Sequence, residues 1–154
     1  MRSFFKVPLK IHHGLLLVTQ LAVLYDDGLS ATLQDVAGSA GISQGFLEQV
    51  ARPLRRAGII IGRRGSGGGY RLAVEPAKLT VADVLTAIEG PVDVIDCLSN
   101  ETSCILADNC ANRDVWMKIR IQIMNTLKNM TIAEAAGLGR PGHSRHESQK
   151  KRKI

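Results

Sequence analysis

Between Thr32 and Leu72 the chain carries two helix-start signals, two glycine stops and a glycine-rich reversal, in an order that leaves few folds open. Thr32 with Asp35 three residues later is a capping box, in which each side chain satisfies a backbone N–H that the first helical turn leaves unpaired. The helix it starts should run through Ala40 and stop at Gly41. Ser43 caps the next helix, where Leu47, Val50, Ala51 and Leu54 share one face and Gly58 supplies the stop. A short helix, a tight glycine-containing turn and a second helix predict a helix-turn-helix. Pro53 lacks the N–H that would bond the carbonyl of Gln49, so this second helix is expected to be interrupted and kinked there. β-Branched Ile59, Ile60 and Ile61 then predict a strand, Arg63 to Gly69 a basic turn, and Tyr70, Arg71 and Leu72 the returning strand of a hairpin, or wing.

The flanking patterns are helical. Leu17, Val18, Leu21, Ala22 and Tyr25 recur at helical spacing, predicting a helix from Ile11 to Tyr25 that ends at Asp26, Asp27 and Gly28. Thr80 and Asp83 form another capping box, for a helix with Val81, Val84, Leu85 and Ile88 inward and Gly90–Pro91 as its stop. From Ala111 to Asn129 a long amphipathic helix carries Val115, Trp116, Ile119, Ile123 and Leu127, with Met130 just beyond. That is more apolar length than a small winged domain covers, so a second copy is expected on it. Thr131 and Glu134 cap a last short helix. The expected fold is mainly α with a small β-hairpin: a winged helix-turn-helix with a long C-terminal dimerisation helix. It divides into a DNA-binding region (1–90), a cysteine loop (91–112), the dimerisation and terminal helices (113–136) and a disordered basic tail (137–154). The most apolar run, Gly14 to Tyr25, is broken by Thr19 and Gln20 and is too short to span a bilayer, so no membrane partner is expected.

Charge is distributed unevenly. The net +6 hides two regions of +5 each: residues 44–72 hold 6 basic and 1 acidic side chain, and so do residues 140–154. The tail has few apolar residues. The first region lies within a structured pattern, where fixed arginines can match phosphate spacing. In a helix-turn-helix the N-terminal residues of the second helix reach base edges, which selects Ser43, Gln44, Gly45, Glu48, Gln49 and Arg52. Gln pairs with adenine, Glu accepts from cytosine N4, and Arg takes guanine or phosphate. Arg63 and Arg64 sit at the wing tip, where arginine enters a narrow minor groove. A basic helix alone is more often a solvated face; the wing beside it reverses that judgement. The run Gly65 to Gly69 lacks the Walker lysine and leads into Tyr70 rather than a helix, so hairpin chemistry explains it better than a phosphate loop.

The three cysteines, Cys97, Cys104 and Cys110, fall in one polar stretch with Asp96, Ser99, Asn100, Glu101, Asp108 and Asn109. An odd number argues against a disulfide scaffold and for the cytoplasm. Three soft thiolates suit an iron–sulfur cluster or zinc, and zinc sites more often use CxxC knuckles, absent here. One ligand is missing. Arg113 cannot supply it, having no accepting lone pair; His12 or His13 could, from the start of the first helix of a second copy. No Ser/His/Asp, paired-carboxylate or Rossmann arrangement points to an enzyme.

Together, GISQGFLEQVARPLRRAG (41–58), RGSGGGYRL (64–72), the segment Thr80 to Ile88, the cysteine loop and Trp116 resemble the winged-helix iron–sulfur regulators of the IscR and NsrR type, over roughly residues 1–136. The resemblance implies a homodimeric bacterial transcription factor, a repressor, that binds double-stranded promoter DNA and whose long helices cross-pair. It also implies a [2Fe–2S] or [4Fe–4S] cluster held beside the partner's helix-turn-helix. Cys97, Cys104 and Cys110 match the cluster cysteines. The IscR type has a histidine where this chain has Arg113; the NsrR type uses a side chain near the start of helix one, and the matching position is His12. Glu48 matches a DNA-reading residue, and Arg64 and Gly65 match wing contacts. The alternative is a cluster-free winged-helix regulator sensing thiol redox state or a small effector.

Overall fold

The structure, a computed structural model, describes residues 6–65, 68–95, 98 and 110–138. α1 (Leu9–Val23) is the central helix. It buries Gly14, Leu17, Val18, Leu21 and Ala22 against α3 (Gln44–Arg56) and α4 (Val81–Glu89). It starts at Leu9, two residues before the position expected from periodicity, with Pro8 as its N-cap. It also ends two residues early, because the N–H groups of Leu24 and Tyr25 bond three residues back and tighten the last turn. Gly14 lets α4 close on α1: a β-carbon there would overlap Ile88 Cδ1.

α2 (Leu33–Ala40) begins at the Thr32–Asp35 capping box and ends at Gly41, which is left-handed with φ 67°. Ser43 Oγ then accepts from the N–H of Phe46, 3.2 Å away, and starts α3. α3 runs unbroken through Pro53, contrary to the expected interruption. Leu47, Val50, Ala51 and Leu54 are all buried, and their packing holds the helix on both sides of the one missing backbone bond.

β1 (Ile60–Arg63) and β2 (Gly69–Leu72) pair antiparallel, with Ile60 opposite Leu72 and Arg63 opposite Gly69. Arg63 and Gly69 therefore close the ladder rather than belong to the turn. Ile60 and Leu72 face the core. Ala31 adds a bridge to Tyr70, its N–H donating to the Tyr70 carbonyl at 3.0 Å and its carbonyl accepting at 2.8 Å. Gly69, at φ 136°, permits this approach, since any β-carbon would collide with the Ala31 backbone.

α4 carries its own capping box at Thr80–Asp83. The long helix α5 (Ala111–Asn129) has the expected bounds, and α6 (Ile132–Ala135) follows the Thr131–Glu134 box. Thr131 bridges Thr80: the Val81 N–H donates to the Met130 carbonyl and the Ile132 N–H to the Leu79 carbonyl, both at 2.8 Å. Fully buried Ile132 thus joins the core under α1. Among the described residues no helix is long and apolar enough to cross a membrane.

Candidate functional site

The first two turns of α3 present a polar edge because the opposite edge is committed to the core. Ser43, Gln44, Gly45, Glu48, Gln49 and Arg52 are all exposed. Gln44 Nε2 donates to Glu48 Oε1 at 3.1 Å, one helical turn away, so the two side chains form a preset pair. Gly45 has open space where a β-carbon would stand, which leaves room for close approach of a large partner. At the wing, Arg63, Arg64 and Gly65 are exposed, Gly65 adopts φ 98°, and the Gly68 N–H donates to the Gly65 carbonyl at 2.9 Å to close the tip. Among the described residues, Arg52, Arg55, Arg56, Arg63 and Arg64 make no ion pair. Unneutralised arginines on a helix and an adjoining hairpin form a surface suited to a polyanion.

Cys110 is the N-cap of α5 and half-buried; its side chain makes no capping bond, so the sulfur is not committed to its own helix. Leu98 is buried, at 8 % exposure. Cys97 and Cys104 themselves lie outside the described residues. His12 is exposed in the first turns of α1, and His13 is half-buried with its Nδ1 enclosed and without a hydrogen bond among the described residues. Among the described residues no three His, Cys, Asp or Glu side chains converge as a metal site. Thiolates and a neutral imidazole are donors chemically suited to iron, and of the candidate donors the described residues show Cys110 half-buried and His12 exposed.

Three features had no local signal in the sequence. Arg120 Nη1 of α5 lies 3.1 Å from Asp93 Oδ1 in the segment after α4, an ion pair rather than an aligned hydrogen bond, since that oxygen has no hydrogen-bond partner. Lys10 on α1 pairs with Glu89 on α4 at 3.2 Å. The ring of Phe46, in the first turn of α3, meets the His13 ring edge-on at 4.8 Å. Phe46 adjoins the Leu47 stripe in sequence, but nothing local marks His13 as its partner.

A family model described as Rrf2, an iron-dependent transcriptional regulator, matches residues 9–137. The HTH-type transcriptional regulator CymR of Bacillus subtilis is 31% identical over 131 residues, covering 85% of this chain and 89% of that protein. The IscR regulator of Serratia proteamaculans is 35% identical over 102 residues, 66% of this chain and 62% of its own length. Among solved structures, CymR of B. subtilis, described as its global cysteine regulator, superposes with TM-score 0.69 at 29% identity, covering 87% of this chain and 98% of that one. T. potens IscR superposes with TM-score 0.71 at 26% identity, covering 96% and 97%.

Proposed function

Since the chain belongs to the Rrf2 family of transcriptional regulators, we propose that it is a homodimeric repressor that reads promoter DNA with α3 and the wing. Its affinity is set by an iron–sulfur cluster on Cys97, Cys104, Cys110 and the partner subunit's His12. It performs no catalysis. The observation that carries the DNA half is the exposed arginine surface flanking the exposed edge of α3, which makes no ion pair among the described residues. Ser43, Gln44, Glu48, Gln49 and Arg52 face base edges, while Arg63, Arg64 and Gly65 lie along the backbone and minor groove.

The family's iron-dependent description and the thiolate-rich donor set support the cluster half. When bound, the cluster supplies a group whose presence and charge vary with redox state and iron supply. The chain's own part is to set two distances. Cys110 stands at the start of α5 and His12 in the first turn of α1, whose body packs on α3, so a group held by both would tie these two helix ends. A change in either end alters the spacing of two recognition helices. It switches a promoter only through differential affinity, about 1.4 kcal/mol for each tenfold.

The likeness to a cysteine regulator across nearly the whole chain, together with the solved oxidised form of Staphylococcus aureus CymR, favours a second reading in which the same cysteines act as redox-sensitive thiols without a cluster. One experiment separates them: the absorbance spectrum of anaerobically purified protein, with iron and sulfide quantified, beside Cys104→Ala. Charge-transfer bands with stoichiometric iron and sulfide, lost in the variant, are expected. Colourless protein after anaerobic reconstitution would replace the cluster with thiol chemistry.

A further inference from the structure

We infer that His13 is the positioning residue that couples the His12 end of α1 to the base-reading turn of α3. Four observations make a continuous chain. His12 and His13 are neighbours whose rings lie 5.7 Å apart, His12 exposed and His13 half-buried. The His13 ring meets Phe46 edge-on at 4.8 Å, with an interplanar angle of 86°. Phe46 is tied to the N-cap, its N–H donating to Ser43 Oγ. The same turn carries Gln44 and Glu48, already joined by a hydrogen bond. A displacement at His12 rotates His13 with the rigid helix, and close-packed rings pass that rotation to Phe46.

Among the described residues His13 Nδ1 makes no hydrogen bond, so the ring is held by packing and moves with its helix.

This inference rests on the proposal that His12 faces the partner subunit's cysteine loop, and its test separates the two. Operator affinity is measured for cluster-loaded and cluster-free forms of wild type, His13→Ala, His13→Phe and Phe46→Leu, with iron content and thermal unfolding of each. Roughly a tenfold difference between the two wild-type forms is expected. In His13→Ala the two forms should converge to within about twofold with iron content unchanged; His13→Phe, which keeps an aromatic edge, should restore the difference. Side-chain NMR supplies a readout independent of DNA: the Phe46 ring resonances should shift between forms in wild type and stay fixed in His13→Ala. Should His13→Ala not fold, Phe46→Leu reports the same loss from the other side of the contact. A wild-type ratio retained in His13→Ala overturns the coupling alone. Loss of iron in that variant overturns it by making His13 a ligand. Equal affinity of the two wild-type forms, or no cluster, removes the proposed function and the coupling with it.

Discussion

Arg64 and Glu48 would meet different parts of a duplex, so their substitution separates holding from reading. Arg64 is exposed at the wing tip and makes no ion pair among the described residues. Replacing it with Ala should weaken binding to all sequences alike and lower the slope of log affinity against log salt by about one. Glu48→Ala should leave that slope alone and relax preference at one base pair, at about 1–3 kcal/mol of discrimination, while releasing the amide of Gln44. Titrations across salt and across single-base operator variants measure both; unchanged binding in both variants would sink the assignment. Gly14 tests packing at the same scale. A helical glycine usually costs stability, so replacement gains helix propensity, but here the added atoms meet Ile88 under α4. Gly14→Leu should lose about 1–3 kcal/mol in urea unfolding, because a whole side chain cannot be absorbed by a shift of one methyl group.

The elements were legible wherever their cause is local. All three capping boxes form, and the bounds of α5 are those the apolar spacing gives, because an N-cap and its N3 partner lie within one turn and need nothing distant. What the sequence concealed is non-local. The Ala31–Tyr70 and Thr80–Thr131 bridges and the Arg120–Asp93 pair each join segments that only the folded core brings together. Pro53 shows the same limit in reverse: its local cost is real, yet the buried face of α3 outweighs it. The Thr131 box offers a pH test. The Thr131 backbone N–H, and then its hydroxyl, hold the Glu134 carboxyl below its ordinary value of 4.5. A lowered folded value favours the native state at pH above 4.5 and loses that contribution as pH falls through the folded value. The stability gap between wild type and Glu134→Ala should thus be steady from neutral pH down to the carboxylate range, then narrow on further acidification. Thr131→Ala should cost about 1 kcal/mol at neutral pH. A gap that widens in acid would contradict the assignment.

At the scale of the whole molecule, α5 is held firmly at one end and open along much of its length. Its C-terminal end is tied through Met130 to Val81, and Leu127 packs on the core, but no side chain of α5 is buried. Val115 is 53% exposed and Ile121 49%, on a helix about 28 Å long by its rise per residue. Apolar side chains on this scale suit a cover, and under the proposed dimer a second copy of the same helix would supply one with matching chemistry. The tethers also bracket the cysteine segment, since Arg120 grips Asp93 ahead of it and Cys110 closes it at the start of α5. The pairing of two α5 helices would then fix the distance between two recognition helices, and half-site spacing would depend on the dimer. Ile121→Lys should give a folded monomer with unchanged helical circular dichroism, since Ile121 contributes nothing to the buried core. Its operator affinity should fall by roughly a hundredfold or more, the loss of linked binding at two half-sites. Sedimentation at a concentration where wild type is dimeric measures the first effect and operator titration the second. A dimer that survives this substitution would place the interface elsewhere and free α5 from any role in setting operator spacing.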